Sequence, residues 1–384
     1  SLISCTSADS EKRDFHWNGK IGADGLISNP SMPLITGDSG IIVSEDFQIS
    51  LPETGVVQSP PTPVSLAYGR NELLVLDEAN STVLRFDASS GGFLGRSGRQ
   101  GKGPGELAGP IKIFPTSAGF AVWDTKKSTV EFFDSSARWV RSVVAGGLRS
   151  HLRVLSTEEV VTWSIGGSEE SPFVIDSGSA GSTRAFFHPQ QTGEADPEEK
   201  HCFFVGGTSR LTILGRCEVP TLTFYSGDGS RVARWRVQAV PRKTSSADMD
   251  RVRKAFASQM HQAGLPDSVV ASASRSVAAQ YEIQRPFSSV IVGLTPALLL
   301  LLEQQPPELN PDSATLHIFS RGGIYLAPVI MPFAIRGMAA SPDHLYLIAE
   351  NPSTGDRDIR AYRVTLSSGV QAFLSTQGLP ALLN

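Results

Sequence analysis

The segment Gly95-Arg96-Ser97-Gly98-Arg99-Gln100-Gly101-Lys102-Gly103-Pro104-Gly105-Glu106-Leu107 interleaves glycines with cations, the residue types that most invite a chemical reading. Such a loop cradles phosphate when its amides converge and a Lys-Ser or Lys-Thr step closes it at a helix N-terminus. Here Gly101-Lys102 runs into Gly103, no glycine stands five residues before Gly101, and no helical pattern follows. The glycines are read instead as the backbone freedom of a tight connection between strands. A Gly-x-Ser-x-Gly elbow, which would raise a nucleophilic serine, does not occur.

The three cysteines carry the next chemical signal. Leu2-Ile3-Ser4-Cys5 resembles a bacterial lipobox, with Cys5 as the lipidated residue and Thr6 to Lys12 as a polar tether. The sequence opens inside what would be the end of a signal peptide, and residues 1–40 are expected to form a lipoprotein-like N-terminal tether. Cys202 and Cys217 flank an expected hairpin, 202–206 and 211–217, turning at Gly207-Thr208-Ser209-Arg210. Antiparallel pairing brings the two nearly opposite, within disulfide reach. A bridge there implies an oxidising compartment; the alternative is two separate buried thiols. Four zinc ligands at close spacing are missing.

Composition narrows the partners. Charged residues make up 19%, below the usual value of about 25%, and the net charge is −4 without a long run of either sign. Nucleic acid is therefore excluded as the main partner, since phosphate neutralisation needs clustered Lys and Arg. The longest apolar stretch, Val290 to Leu302, is interrupted by Gly293, Thr295 and Pro296. It falls short of the roughly 20 residues that a transmembrane helix takes. Leu298 to Leu302 reads as a strand buried on both faces.

The elements that position these residues emerge from an internal repeat. Leu76-Asp77-Glu78-Ala79-Asn80-Ser81-Thr82-Val83-Leu84-Arg85-Phe86-Asp87 aligns without gaps, 47 residues on, with Trp123-Asp124-Thr125-Lys126-Lys127-Ser128-Thr129-Val130-Glu131-Phe132-Phe133-Asp134. Each copy reads as strand, polar turn, strand. Weaker echoes lie at 173–176, 222–227, 316–322 and 359–364. A four-stranded antiparallel unit at this period is a propeller blade. The expected fold is thus all-β: a six-bladed β-propeller over residues 41–366, with blades opening near Pro63, Pro110, Ser150, Lys200, Pro286 and Ile335. One long gap, 245–281, shows helical spacing at Met249, Val252, Phe256 and Met260 and predicts a helical hairpin packed on one face. The last blade supplies three strands, and Ile41 to Leu51 can add the fourth and seal the ring. The C-terminal tail, 367–384, offers Gly369 to Leu374 as a rival for that slot.

The Gly-rich loop, Val75-Leu76-Asp77 with Arg85-Phe86-Asp87, and Arg285-Pro286-Phe287 together resemble the NHL-related six-bladed propellers of exported bacterial proteins. The resemblance covers residues 41–366 and is strongest in the first two blades. It implies a fold far more than an activity. Propellers of this kind collect ligands where outer-to-inner connections and second-to-third turns open. The candidate rim residues there are Arg96, Arg99, Lys102, Lys126, Lys127, His151, His201, Arg285 and Arg336, an electropositive mouth for an acidic partner. Calcium-dependent lactonases and zinc-dependent lyases on related folds set the enzyme alternative, a metal-dependent hydrolase or lyase. Their oxygen cages or histidine sets find little counterpart, since only His151 and His201 of seven histidines open inner strands. The reading favoured is a non-catalytic, extracytoplasmic binding or scaffolding module, periplasmic or at the cell surface. It is expected to be membrane-associated through Cys5, to need no cofactor, to carry no transmembrane helix, and to bind a protein partner or serve as accessory subunit of a membrane-attached complex.

Overall fold

A computed structural model describes residues 19–21, 26–29, 34–35, 40–52, 59–144, 149–154, 159–164, 173–177, 182–187, 203–208, 211–216, 221–226, 229–236, 242–243, 245–262, 266–280, 283–284, 289–294, 298–302, 313–320, 322–351 and 353–376. Two short strands, β1 (Lys20–Ile21) and β2 (Leu26–Ser28), precede the long β3 (Ile41–Ile49). Sheet 1 is β4 (Pro63–Gly69), β5 (Glu72–Asp77), β6 (Thr82–Asp87) and β7 (Phe93–Ser97). Sheet 2 is β8 (Pro110–Pro115), β9 (Gly119–Asp124), β10 (Thr129–Asp134) and β11 (Trp139–Val144). Sheet 3 is β12 (Arg149–Val154), β13 (Glu159–Ser164), β14 (Phe173–Ser177) and β15 (Ser182–Phe187). Sheet 4 contains β16 (Phe203–Thr208), β17 (Leu211–Arg216), β18 (Thr221–Ser226) and β19 (Arg231–Arg236). A ribbon of β20 (Arg242–Lys243) and β21 (Ile283–Gln284) brackets helices α1 (Ser246–Gln262) and α2 (Asp267–Gln280). Sheet 5 is β22 (Ser289–Leu294), β23 (Leu298–Leu302), β24 (Ala314–Ser320) and β25 (Tyr325–Met331). Sheet 6 takes β26 (Ala334–Ala340), β27 (Leu345–Glu350) and β28 (Arg357–Leu366), and α3 (Ser368–Thr376) ends the described chain.

Sheets 1, 2, 3 and 5 are antiparallel meanders, β16 to β19 and β26 to β28 run likewise within sheets 4 and 6, and together the sheets make an all-β, propeller-like fold. First strands stand beside one another: β4 against β8, β12 against β16, β16 against β22, β22 against β26, and β26 against β4. Phe114, Trp123 and Phe132 of sheet 2 meet Val154 and Val160 of sheet 3 across the remaining junction. The core lies between sheets, because inner strands such as β5 and β9 are apolar on both faces and can bury them only against neighbours. The fourth place of sheet 6 goes to β3, which pairs antiparallel with β28 from Ile41↔Leu366 to Ile49↔Ile359.

A second periodicity, invisible in the residue pattern, runs through the register. In all six sheets the third and fourth strands slip by one residue, leaving one extra on the outer strand: Leu94, Val140, Phe186, Val232, Leu326 and Asp46. Such a bulge bends the strand and steepens its twist, which turns an outer edge away from pairing with another chain. The extra residue is an exposed apolar side chain at Leu94, Val140 and Val232, whereas Leu326 turns into the core of sheets 5 and 6.

Three expectations need correction. The N-terminal segment is not tether up to residue 40: β2 pairs in parallel with β19, and the amides of Leu34 and Ile35 donate to Tyr325 O (3.1 Å) and Leu326 O (2.9 Å) of sheet 5. The tail does not compete for the edge, because it forms α3, whose Val370 is buried against sheets 5 and 6. The hairpin expected to turn at Gly207 and Thr208 keeps both in β16, with Thr208 opposite Leu211. Among the described residues, α1 and α2 pack chiefly against each other.

Candidate functional site

The repeated aspartates explain why the first two sheets read so clearly. Asp77 and Asp124 each end a second strand and are fully buried. Asp77 accepts from Thr62 N (2.9 Å) and Asn80 Nδ2 (2.6 Å); Asp124 accepts from Ala108 N (2.5 Å), Gly109 N (3.1 Å) and Lys127 N (3.0 Å). Each carboxylate thus fastens its own turn to the chain entering its sheet. The recurring serines serve the same turn, with left-handed backbone at Ser81 (φ 49°) and Ser128 (φ 54°). Sheet 6 solves the problem with other residues. Glu350 ends β27 and binds Arg336 Nη2 (2.5 Å) and Arg357 Nε (2.8 Å), and Arg357 Nη1 reaches Pro63 O (3.1 Å) at the start of sheet 1. Burial works against the charged Glu350 carboxylate, but the two guanidiniums outweigh it and hold its pKa below the ordinary value.

The rim cations separate into three groups. Arg99, Lys102 and Lys126 are exposed and border the β7–β8 connection. Lys126 lies with its stem over Gly109, and Arg99 pairs with Glu106 at 2.8 Å. Arg96 is exposed on β7. Lys127 and Arg336 are not mouth residues, contrary to expectation. Lys127 is 12% exposed and its Nζ binds Gly103 O, Glu106 O and Glu131 Oε1. Arg336 is the extra residue of a bulge at the start of β26, which turns its side chain onto Glu350. His151 is the third residue of β12, but its side chain, together with His201, Arg285, Cys5, Cys202 and Cys217, lies outside the described residues.

Glu131 is a charged residue that the sequence pattern did not single out. It is 0% exposed, and it accepts from Thr129 Oγ1 (2.8 Å), Trp139 Nε1 (2.8 Å) and Ser142 Oγ (2.6 Å) besides Lys127. Desolvation pushes its pKa up, and these donors together more than reverse that, leaving it below the usual carboxylate value. Gly105 shapes the adjoining loop: at φ 72° a Cβ would also sit 2.7 Å from Trp139 Cβ, so the loop closes over the indole only with glycine there.

Ser341, His344 and Asp46 come nearest to a hydrolytic constellation. His344 Nε2 lies 2.8 Å from Asp46 Oδ2. The Ser341 hydroxyl, however, accepts from the amides of His344 (2.9 Å) and Asp343 (3.3 Å), which makes it the cap of a turn. A nucleophilic triad needs that hydroxyl on the imidazole. Among the described residues no group of three His, Cys, Asp or Glu is arranged to hold a metal, and no helix is long and apolar enough to cross a membrane.

Two solved structures share this arrangement. The likeness extends over most of this chain. A DUF4221 family member from Bacteroides vulgatus superposes with a TM-score of 0.56 at 9% identity, covering 86% of this chain and 99% of that one. A protein of Bacteroides fragilis named as exported gives a TM-score of 0.54 at 14% identity, covering 89% and 100%. At such identities the likeness concerns the fold alone. No family model and no curated protein matches the sequence.

Proposed function

We propose that the six sheets are the blades of a closed, NHL-like six-bladed propeller acting outside the cytoplasm as a non-catalytic platform for a protein partner. The observation that carries this reading is the fate of the polar groups. The buried ionic residues Asp77, Asp124, Glu131 and Glu350 are all consumed in fastening sheets and connections, while Lys102 on the β7–β8 connection and Lys126 on the β9–β10 turn stay exposed. Reactive groups are disproportionately kept accessible, whereas here the accessible chemistry is charge suited to an acidic protein surface. The exported Bacteroides neighbour of the same fold supports the location.

The test is charge reversal of the exposed pair, Lys102→Glu with Lys126→Glu, against the partner recovered by crosslinking in the native envelope. Folding should stay within about ±0.5 kcal/mol, as for exposed positions generally. Association should slow at low salt, and the difference should shrink as salt screens it over a Debye length of about 8 Å. An unchanged on-rate at low salt would exclude this face.

Anchoring and redox state extend the proposal. Cys202 and Cys217 adjoin the ends of β16 and β17 in the sequence, and we propose that they form a disulfide. We expect that pair to be oxidised in protein drawn from its native compartment, with mass spectrometry finding no free thiol at either position. Cys5→Ser should move the protein from the membrane to the soluble fraction; retention at the membrane would refute the lipid anchor.

A further inference from the structure

The Lys127 ammonium has three neighbours, all oxygen: Glu131 Oε1 at 2.7 Å, Glu106 O at 2.9 Å and Gly103 O at 3.1 Å. Three acceptors match its three N–H donors. Two of the oxygens belong to the connection between sheets 1 and 2, and the third stands on β10. The walls of this cage are held by bonds that do not involve the lysine. Thr129, Trp139 and Ser142 fix the Glu131 carboxylate. On the loop side, the Glu106 carboxylate accepts from Gly103 N (2.8 Å) and Arg99 Nε (2.9 Å), and Leu107 N donates to Arg99 O (2.8 Å). The spacing suits an ammonium. Calcium asks for six to eight oxygens at about 2.3–2.6 Å, and magnesium for about 2.0–2.1 Å in an octahedron.

We propose that the β7–β8 connection contains a primary-ammonium site, with Lys127 as its built-in ligand, and that the site survives removal of the lysine stem and then binds a small free alkylammonium. The charge of buried Glu131 is what makes the site selective: an anion with no counter-cation is costly in a dry interior, so a cation that can donate to all three oxygens is drawn in. The consequence for the molecule is positional. Lys127 ties the 98–107 loop to β10 and thereby sets where Lys102 stands. The proposal concerns what holds the connection and does not depend on what docks there.

The experiment compares Lys127→Ala with Lys127→Met, following amide exchange at Gly101, Glu106 and Leu107, which are all bonded within the loop. The alanine variant should lose about tenfold or more of that protection, the scale of one charged hydrogen bond. Ethylammonium should restore it in a saturable manner, whereas tetramethylammonium, which has no N–H, should not at equal ionic strength. The methionine variant keeps a stem in the channel and should not respond to either. Unchanged protection in Lys127→Ala, or equal effects of the two cations, overturns the proposal. Should the alanine variant fail to fold, Glu131→Gln, which keeps shape and an acceptor but removes the charge, should loosen the same three amides and leave those of β27 alone; no change there overturns it as well. Partner association is a separate readout, so failure of the ammonium response leaves the platform reading standing.

Discussion

Asn29→Ala is expected to lower the unfolding free energy by about 2–6 kcal/mol, because it orphans two buried backbone groups at roughly 1–3 kcal/mol each. Asn29 is 1% exposed. Its Nδ2 donates to Gly323 O at 2.8 Å and to Arg236 O at 3.4 Å, and its Oδ1 accepts from Tyr325 N at 2.8 Å. One side chain therefore joins the end of β19 in sheet 4 to the turn entering β25 in sheet 5. The crossing is tight, since a Cβ at Gly323 (φ 83°) would meet the Trp235 indole at 2.6 Å. Denaturant unfolding with tryptophan fluorescence reads the effect directly. Gln48→Ala, which removes an exposed bond to Asp358, is the matched control and should change stability by no more than about 0.5 kcal/mol. A loss at Asn29 no larger than at Gln48 would mean that the N-terminal segment does not hold these two sheets together.

Removing residues 41–51 should destabilise the whole molecule and not merely fray one edge. β3 bonds the start of the described ring to its last sheet, through backbone pairing with β28 and through Ile49, which is 1% exposed in the core shared by sheets 6 and 1. Truncating Ile49 alone, as Ile49→Ala, should cost about 2–5 kcal/mol by lost transfer and cavity formation. The deletion should exceed that, and it also strips the Asp46 partner from His344 and Arg363. Ile42→Ala, at a position 57% exposed, should be nearly silent. A deletion variant that melts with the native protein would refute closure by the N-terminal strand.

Much of this architecture was legible in the chain. The 47-residue alignment of the first two repeats located β5, β6, β9 and β10, since an apolar strand, a buried capping aspartate and a positive-φ serine turn leave a readable order of residue types. The helical spacing after residue 245 located α1 and α2, and the apolar run 41–51 was correctly matched to a sheet lacking a strand. The site was legible only in part. Lys102 and Lys126 are both exposed, Lys102 on the β7–β8 connection and Lys126 with its stem over Gly109 of that connection. Lys127, one residue away, points inward, and no property of a Lys-Lys pair distinguishes the two.

What the sequence determined by itself, then, is what depends on neighbours in the chain: strand and helix type, turn chemistry, and the repeat period that makes a propeller-like ring the economical burial of so many two-faced apolar strands. What only the tertiary structure decided depends on partners far away in sequence. Asn29 meets Gly323 and Tyr325 across roughly three quarters of the chain, Arg357 reaches Pro63 O, and Lys127 finds an oxygen cage whose other members lie in a neighbouring loop. The six recurrent bulges belong to the same class. A bulge is a one-residue difference between two paired strands, so it exists in the pairing and in neither strand alone. Whether a lysine is a contact for a partner or the cation that holds a loop closed is settled by where the buried carboxylate comes to rest, because burying that charge without a counter-cation would cost more than the exposed alternative gains.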